Sequence, residues 1–235
     1  MEQLTELLRK IRETQMPAIK EAADMVATAI AGGNIVHVFG VGHSHIIAEE
    51  AFFRAGGLAP VNAILEPCLM LHEGATKSTQ LENLTGLAQI LLDYYGVKKG
   101  DVLIIASNSG VNAVPVEMAV LAQSRGVPTV AITSLNYSRT LKGPGKALFE
   151  VADVVIDNFG APGDALLELP DTPQRVGPTS TVLGTAIINT IMIEAAYTLQ
   201  QLGLKPPIYM SSHLPGAAEH NMFLARRYRE RIKLL

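Results

Sequence analysis

The stretch "DVLIIASNSGVNAVPVEMAVLAQSRGVPTVAITS", residues 101 to 134, decides the fold. It opens as a strand-length apolar run (101–107), turns through Ser and Asn (107–112), and continues as a segment of helical length that ends at Gly126. Pro115 stands in the first turn of that segment, where a missing N–H is tolerated, and Gly126 stands where helices end on a left-handed residue. A second Val- and Ile-rich run follows (128–134). Strand, helix and strand in this order form a crossover that pairs its two strands in parallel.

The same texture recurs on both sides. "NIVHVFG" (34–40), "PVNAILE" (60–66) and "ADVVIDN" (152–158) are also short, apolar and β-branched, with helix-length segments between them. Such alternation predicts an α/β fold: a three-layer α/β/α sandwich around a five-stranded parallel sheet covered on both faces. "TQLENLTGLAQILLDYYG" (79–96) predicts one crossover helix, with Thr79 and Glu82 at capping-box spacing and Gly96 at its end. No repeat or linker divides the chain, so a single domain over 1–235 is expected, with its core over 20–205. An N-terminal extension (1–31) carries one or two amphipathic helices. A C-terminal extension (206–235) begins at Pro206 and Pro207 and closes on a helix over 220–235, in which Leu224, Tyr228 and Ile232 recur every four residues.

Composition narrows the function. Of 235 residues, 48% are hydrophobic and only 17% charged, too few for a full solvated shell, so a homodimer or homotetramer is expected. The net charge of −3 gives no pull toward nucleic acid. Cys68 has no partner for a disulfide, and "MEQLTELLRK" lacks a secretory pattern, which makes a cytoplasmic location the expectation. The apolar run 181–203 is broken by Asn189, Glu194 and Gln200, so it reads as a helix buried on most sides and not as a membrane span.

Three hydroxyl-rich turns stand out. "GVGHS" (40–44) follows the first strand, "SNSGVN" (107–112) follows the third, and "GPTST" (177–181) opens the long apolar helix. In an open parallel sheet, ligands bind beyond the carboxyl ends of the strands, where helix N-termini offer free N–H groups to anions. A phosphate monoester has the charge and the acceptor oxygens for such donors. Each turn alone would be ordinary capping; together they point to an anion site. A dinucleotide fingerprint fails in "GVGHSH", because His45 stands where a small residue must let the helix pack.

At these residues the chain resembles the sugar isomerase (SIS) domain family over 20–205. "GVGHS" is similar to the family's first loop, "SNSGVNAVPVEMAVLAQSRGVPTVAITS" to its phosphate-binding turn with the following helix and strand, and "PTST" to the hydroxyl cluster of its late helix. The resemblance implies a SIS fold and a sugar-phosphate ligand. Ser107, Ser109 and Asn112 would hold the phosphate, with hydroxyls from Ser44 and from Ser180 or Thr181, and with Gly42, His43, Asn108 and Thr179 lining the same turns. Among family members the chain looks most like stand-alone proteins related to phosphoheptose isomerases and N-acetylmuramic acid 6-phosphate etherases. It departs from the former: the steps that carry their His and Glu after the first loop fall on Glu50 and Arg54, and residues 179–195 contain no His. Neither a metal nor a cofactor is therefore expected.

Proton transfer beside a carbonyl needs a carboxylate or an imidazole. Three candidates carry that role: Glu50 after the first loop, Glu82 where the etherases resembled here carry an acidic residue, and His220 near the C-terminus. Glu49 and Glu50 would lie about 140° and 240° around a helix from Ser44, so neither need share its face. His37 alternates into a strand as a core residue. His43 and His45 have a spacing that suits a metal but lack a nearby acidic or Cys partner. "ARRYRERIK" (225–233) is the polar side of an amphipathic helix and not a nucleic-acid patch. The expected function is an enzyme that binds a sugar phosphate, amino sugars included, and moves a proton as an isomerase or an etherase-type lyase. The alternative is a phosphosugar-sensing regulator without catalysis.

Overall fold

In the computed structural model, which describes residues 1–143 and 145–235, all five apolar runs form strands. They are β1 (Val36–Gly40), β2 (Val61–Ile64), β3 (Val102–Ala106), β4 (Thr129–Thr133) and β5 (Val154–Asp157). Every pairing is parallel, in the order β2-β1-β3-β4-β5. The chain leaves β1 for one neighbour and later returns to its other side with β3. A crevice therefore opens at the carboxyl ends of β1 and β3.

Alternation along each strand sorts the core into two layers. Val36 and Val38 of β1, with Val102 and Ile104 of β3, face α2 (Met16–Ala31), α3 (His45–Ala51) and α9 (Ser180–Gln201). Phe39, Leu103 and Ile105 face α5 (Leu87–Tyr94) and α6 (Ala113–Ser124) on the other side. The N-terminal extension forms α1 (Glu2–Thr14) and then α2. Short helices α4 (Ala75–Leu81), α7 (Leu135–Ser138) and α8 (Leu148–Val151) join the strands, and a hairpin, β6 (Leu167–Glu168) with β7 (Arg175–Val176), precedes α9.

Three expectations need correction. Residues 79–96 form no single helix and no capping box: the Thr79 hydroxyl donates to the Ala75 carbonyl inside α4, Glu82 ends that helix, and left-handed Gly86 starts α5. The terminal helix, α10, spans Ala217–Tyr228: left-handed Gly216 starts it early, and past Tyr228 only a turn follows, in which the Arg231 and Ile232 N–H groups both donate to the Tyr228 carbonyl. Finally, α9 is buried on one side only. Leu183, Ile187, Ile191 and Leu199 pack inward, whereas Val182, Ile193, Tyr197 and Leu202 are exposed.

The amino ends of the strands are closed by the C-terminal segment. Leu224, Tyr228 and Ile232 bury against Ile35, Ala59 and Tyr209. Burying a large apolar side chain contributes about 1.5–3 kcal/mol. A buried polar group lies beneath this seam. His37 Nε2–H donates to Asp101 (3.2 Å), its Nδ1 accepts from the Asn62 amide (2.9 Å), and Arg231 donates to both Asp101 oxygens (2.9 and 2.7 Å). Burial holds the His37 imidazole below its ordinary pKa, against the pull of Asp101. Burial alone would raise the Asp101 carboxyl, but donors from His37 and from the Ile35 and Lys98 N–H groups bring it below its ordinary value.

Candidate functional site

The first loop can fold back over β1 only because residue 40 is glycine: a Cβ there would overlap the Ser44 carbonyl. Ser44 and His43 are thereby brought to the mouth of the crevice. His45 points the other way and is buried, and its Nδ1–H donates to the Gly42 carbonyl, which holds the loop. The carbonyl can only accept, so this bond fixes the proton on Nδ1.

The second turn is held from within. The Gly110 N–H donates to Ser107 Oγ (3.1 Å), and Gly110 has a φ of +64°, with Thr133 too near to admit a Cβ. Asn108 accepts from the Ser134 N–H at its carbonyl (3.2 Å) and from the Asn158 amide at its side chain (3.0 Å), which ties the turn to the ends of β4 and β5. Ser109 and Asn112 of this turn line the crevice. Among the described residues, no protein acceptor takes the N–H of Ser109, Asn112 or Ala113, or the hydroxyl of Ser109. The start of α6 thus offers a set of unpaired donors, with the positive end of the helix dipole behind them.

Glu82 is carried to the same place by its backbone, whose carbonyl accepts from the Val114 N–H (2.9 Å) in the first turn of α6. Burial pushes its carboxyl above the ordinary value, and the Asn112 amide offsets part of that rise. A half-buried carboxyl with a raised pKa is a stronger base once ionised.

The third turn is already occupied. Asp164, 16 residues before Ser180, accepts from the N–H groups of Thr179 (3.1 Å) and Ser180 (3.0 Å) and from the Ser180 hydroxyl (2.5 Å). It caps α9 from outside the helix and supplies the negative charge that a helix start attracts.

These pieces enclose a crevice of about 280 Å³, walled by Val41, His43, Ser44, Glu82, Ser107, Asn108, Ser109, Asn112, Tyr137, Gly163, Asp164 and Ser180. Among the described residues, no Lys or Arg lines it. Larger grooves exist elsewhere. One of about 650 Å³ runs between α2 and the amino end of β3, away from every hydroxyl turn, and its size carries no chemistry.

Other candidates lie apart from the crevice walls. Gly42 shapes the loop behind them, Thr179 is buried beneath Asp164, and Thr181 sits one residue farther along α9. Glu50 is ion-paired with Arg54 and accepts from the Asn189 amide (2.7 Å) between α3 and α9. His220 hydrogen-bonds the Ile208 carbonyl (2.8 Å) on α10. Tyr137, Gly163 and Asp164 are wall residues that sequence reasoning missed. "APGD" (161–164) is a turn signal, but spacing alone does not say that its Asp caps a helix 16 residues on. Among the described residues, no three His, Cys, Asp or Glu side chains are grouped to hold a metal ion.

Comparison with known proteins agrees with this fold. The SIS domain model matches residues 1–134. A UPF0309 protein of Geobacillus kaustophilus is 43% identical over 237 residues, covering 100% of this chain and 94% of that protein. A UPF0309 protein of Brucella suis is 42% identical over 224 residues, covering 95% and 92%. Among solved structures, a phosphoheptose isomerase from Francisella tularensis superposes with a TM-score of 0.56 at 17% identity, over 83% of this chain and 93% of that one. A phosphoheptose isomerase from Neisseria gonorrhoeae gives 0.51 at 16% identity, over 83% and 92%. At such identity the structural likeness is one of fold. With the family model over more than half its length and these relatives along nearly all of it, the chain belongs to the SIS domain family and groups there with the UPF0309 proteins.

Proposed function

We propose that the crevice binds a sugar phosphate with its phosphate against the start of α6, and that Glu82 moves a proton on the sugar. One observation carries this reading: Ser109 and Asn112, whose N–H groups have no protein acceptor among the described residues, share a small crevice with a carboxyl whose pKa burial has raised. Family membership and the likeness to phosphoheptose isomerases in fold support it. The Glu82 carboxylate takes a proton from the carbon next to the sugar carbonyl, and the electron pair moves onto the carbonyl oxygen to give an enediolate. Hydroxyls of Ser44 and Ser109, both in the crevice wall, donate to oxygens of the ligand in this reading. Return of that proton to the former carbonyl carbon, with the hydroxyl proton passing from the neighbouring oxygen to the enediolate oxygen, completes an isomerisation; loss of a leaving group from the next carbon completes an elimination. Both reactions share the first step.

That step is read by incubating the protein with a panel of sugar phosphates in deuterium oxide and following carbon-bound protons by NMR. At least one sugar phosphate should exchange the proton beside its carbonyl, and Glu82→Gln should stop the exchange. Tight binding without exchange for every sugar in the panel would instead favour a phosphosugar sensor.

A further inference from the structure

The charge of the crevice is unusual for an anion site. Glu82 and Asp164 both line it, and among the described residues no Lys or Arg does; His43 at its wall is exposed. The donors at the start of α6 can take one phosphate. The corresponding donors at the start of α9 are already taken by Asp164, whose carboxylate accepts from Thr179 and twice from Ser180. A second anionic group on the ligand would meet that fixed carboxylate across a small space, and like charges with no counter-cation repel.

We infer that Asp164 is a specificity-determining residue that restricts the site to sugar monophosphates whose remaining groups are neutral or cationic, and rejects sugar bisphosphates and phosphosugars that also carry a carboxylate. This deepens the proposed function and rests on it. It also favours isomerisation of a neutral or amino sugar phosphate over elimination from a sugar bearing a carboxylate side arm. Orientation follows from the same charge: the phosphate settles at α6 and the sugar ring lies toward Tyr137 and Gly163.

Calorimetric titration of the full-length protein with hexose 6-phosphates and the matching hexose 1,6-bisphosphates tests this. The monophosphate that binds should do so at least tenfold more tightly than its bisphosphate. Asp164→Asn, which keeps an acceptor for the α9 N–H groups but removes the charge, should narrow that gap to threefold or less. The comparison on the parent protein needs no variant, so a loss of folding in Asp164→Asn leaves the test intact. Equal or tighter binding of the bisphosphate by the parent overturns the inference while sparing the crevice as a phosphate site. An unchanged gap in folded Asp164→Asn also overturns it. Failure of every monophosphate and bisphosphate to bind would remove the proposed function itself.

Discussion

In the proposed function Ser109 holds the ligand and Glu82 does the chemistry. The Ser109 hydroxyl has no protein partner among the described residues, and a hydrogen bond to a charged oxygen contributes about 1.5–3 kcal/mol. Ser109→Ala should therefore bind a sugar phosphate roughly ten- to hundredfold more weakly by calorimetry, at about 1.4 kcal/mol per tenfold, with its melting temperature little changed. Glu82→Gln should keep binding and lose turnover. It should also be more stable than the parent at pH 7, and the sign follows from its raised pKa. Between the unfolded value of 4.5 and the higher folded value the native state binds the extra proton, so ionised Glu82 weakens the fold as pH rises through that window. Thermal melts of both proteins at pH 4 and pH 7 check this: the gain in Glu82→Gln should be larger at pH 7. The acid limb of the parent's pH–rate profile should accordingly lie above 4.5.

Elements show why some features were legible in the sequence and others were not. Strands buried on both faces write themselves as Val- and Ile-rich runs, so β1 to β5 could be read from residue type alone. The Ser107–Asn112 turn was legible because strand and helix flank it directly. Asp164 was not, since its partners lie 16 residues away and depend on how the hairpin β6–β7 returns to α9. The split at 82–86 was hidden because Thr79 satisfies a capping pattern while bonding inside its own helix. The clamp on α10 was half legible: the spacing of Leu224, Tyr228 and Ile232 gave its apolar side, but not the reach of Arg231 to Asp101. Arg231→Ala leaves the fully buried Asp101 without its cation and should cost roughly 3 kcal/mol in urea unfolding, the low end for a buried pair because Arg231 is partly exposed. His37 gives the same region a pH response. Unfolded, it takes a proton below 6.5; folded, burial delays that, so its contribution is complete above about 6.5 and fades as pH falls beneath it. Urea midpoints at pH 7.5 and 5.5 should fall for the parent and fall less for His37→Gln.

At the scale of the whole molecule, the outward face of α9 is too apolar to be left in water. Ile193, Tyr197 and Leu202 are each more than half exposed, and Leu204 lies next to them. Exposed patches of this kind mark interfaces, so light scattering at micromolar concentration should give a mass at least twice 25.1 kDa, and Ile193→Glu should lower it. The sheet order then sets where the proposed chemistry would happen: reversal of direction at β1 and β3 opens the crevice, and the start of α6 borders it. The most direct test is a titration of the nitrogen-15-labelled protein with the sugar phosphate that binds, following backbone amides by TROSY NMR. The largest shifts should fall on Ser109, Asn112 and Ala113, and the unphosphorylated sugar should not reproduce them. Shifts concentrated at Thr179 and Ser180, or at any surface away from the crevice, with Ser109 to Ala113 unmoved, would contradict it.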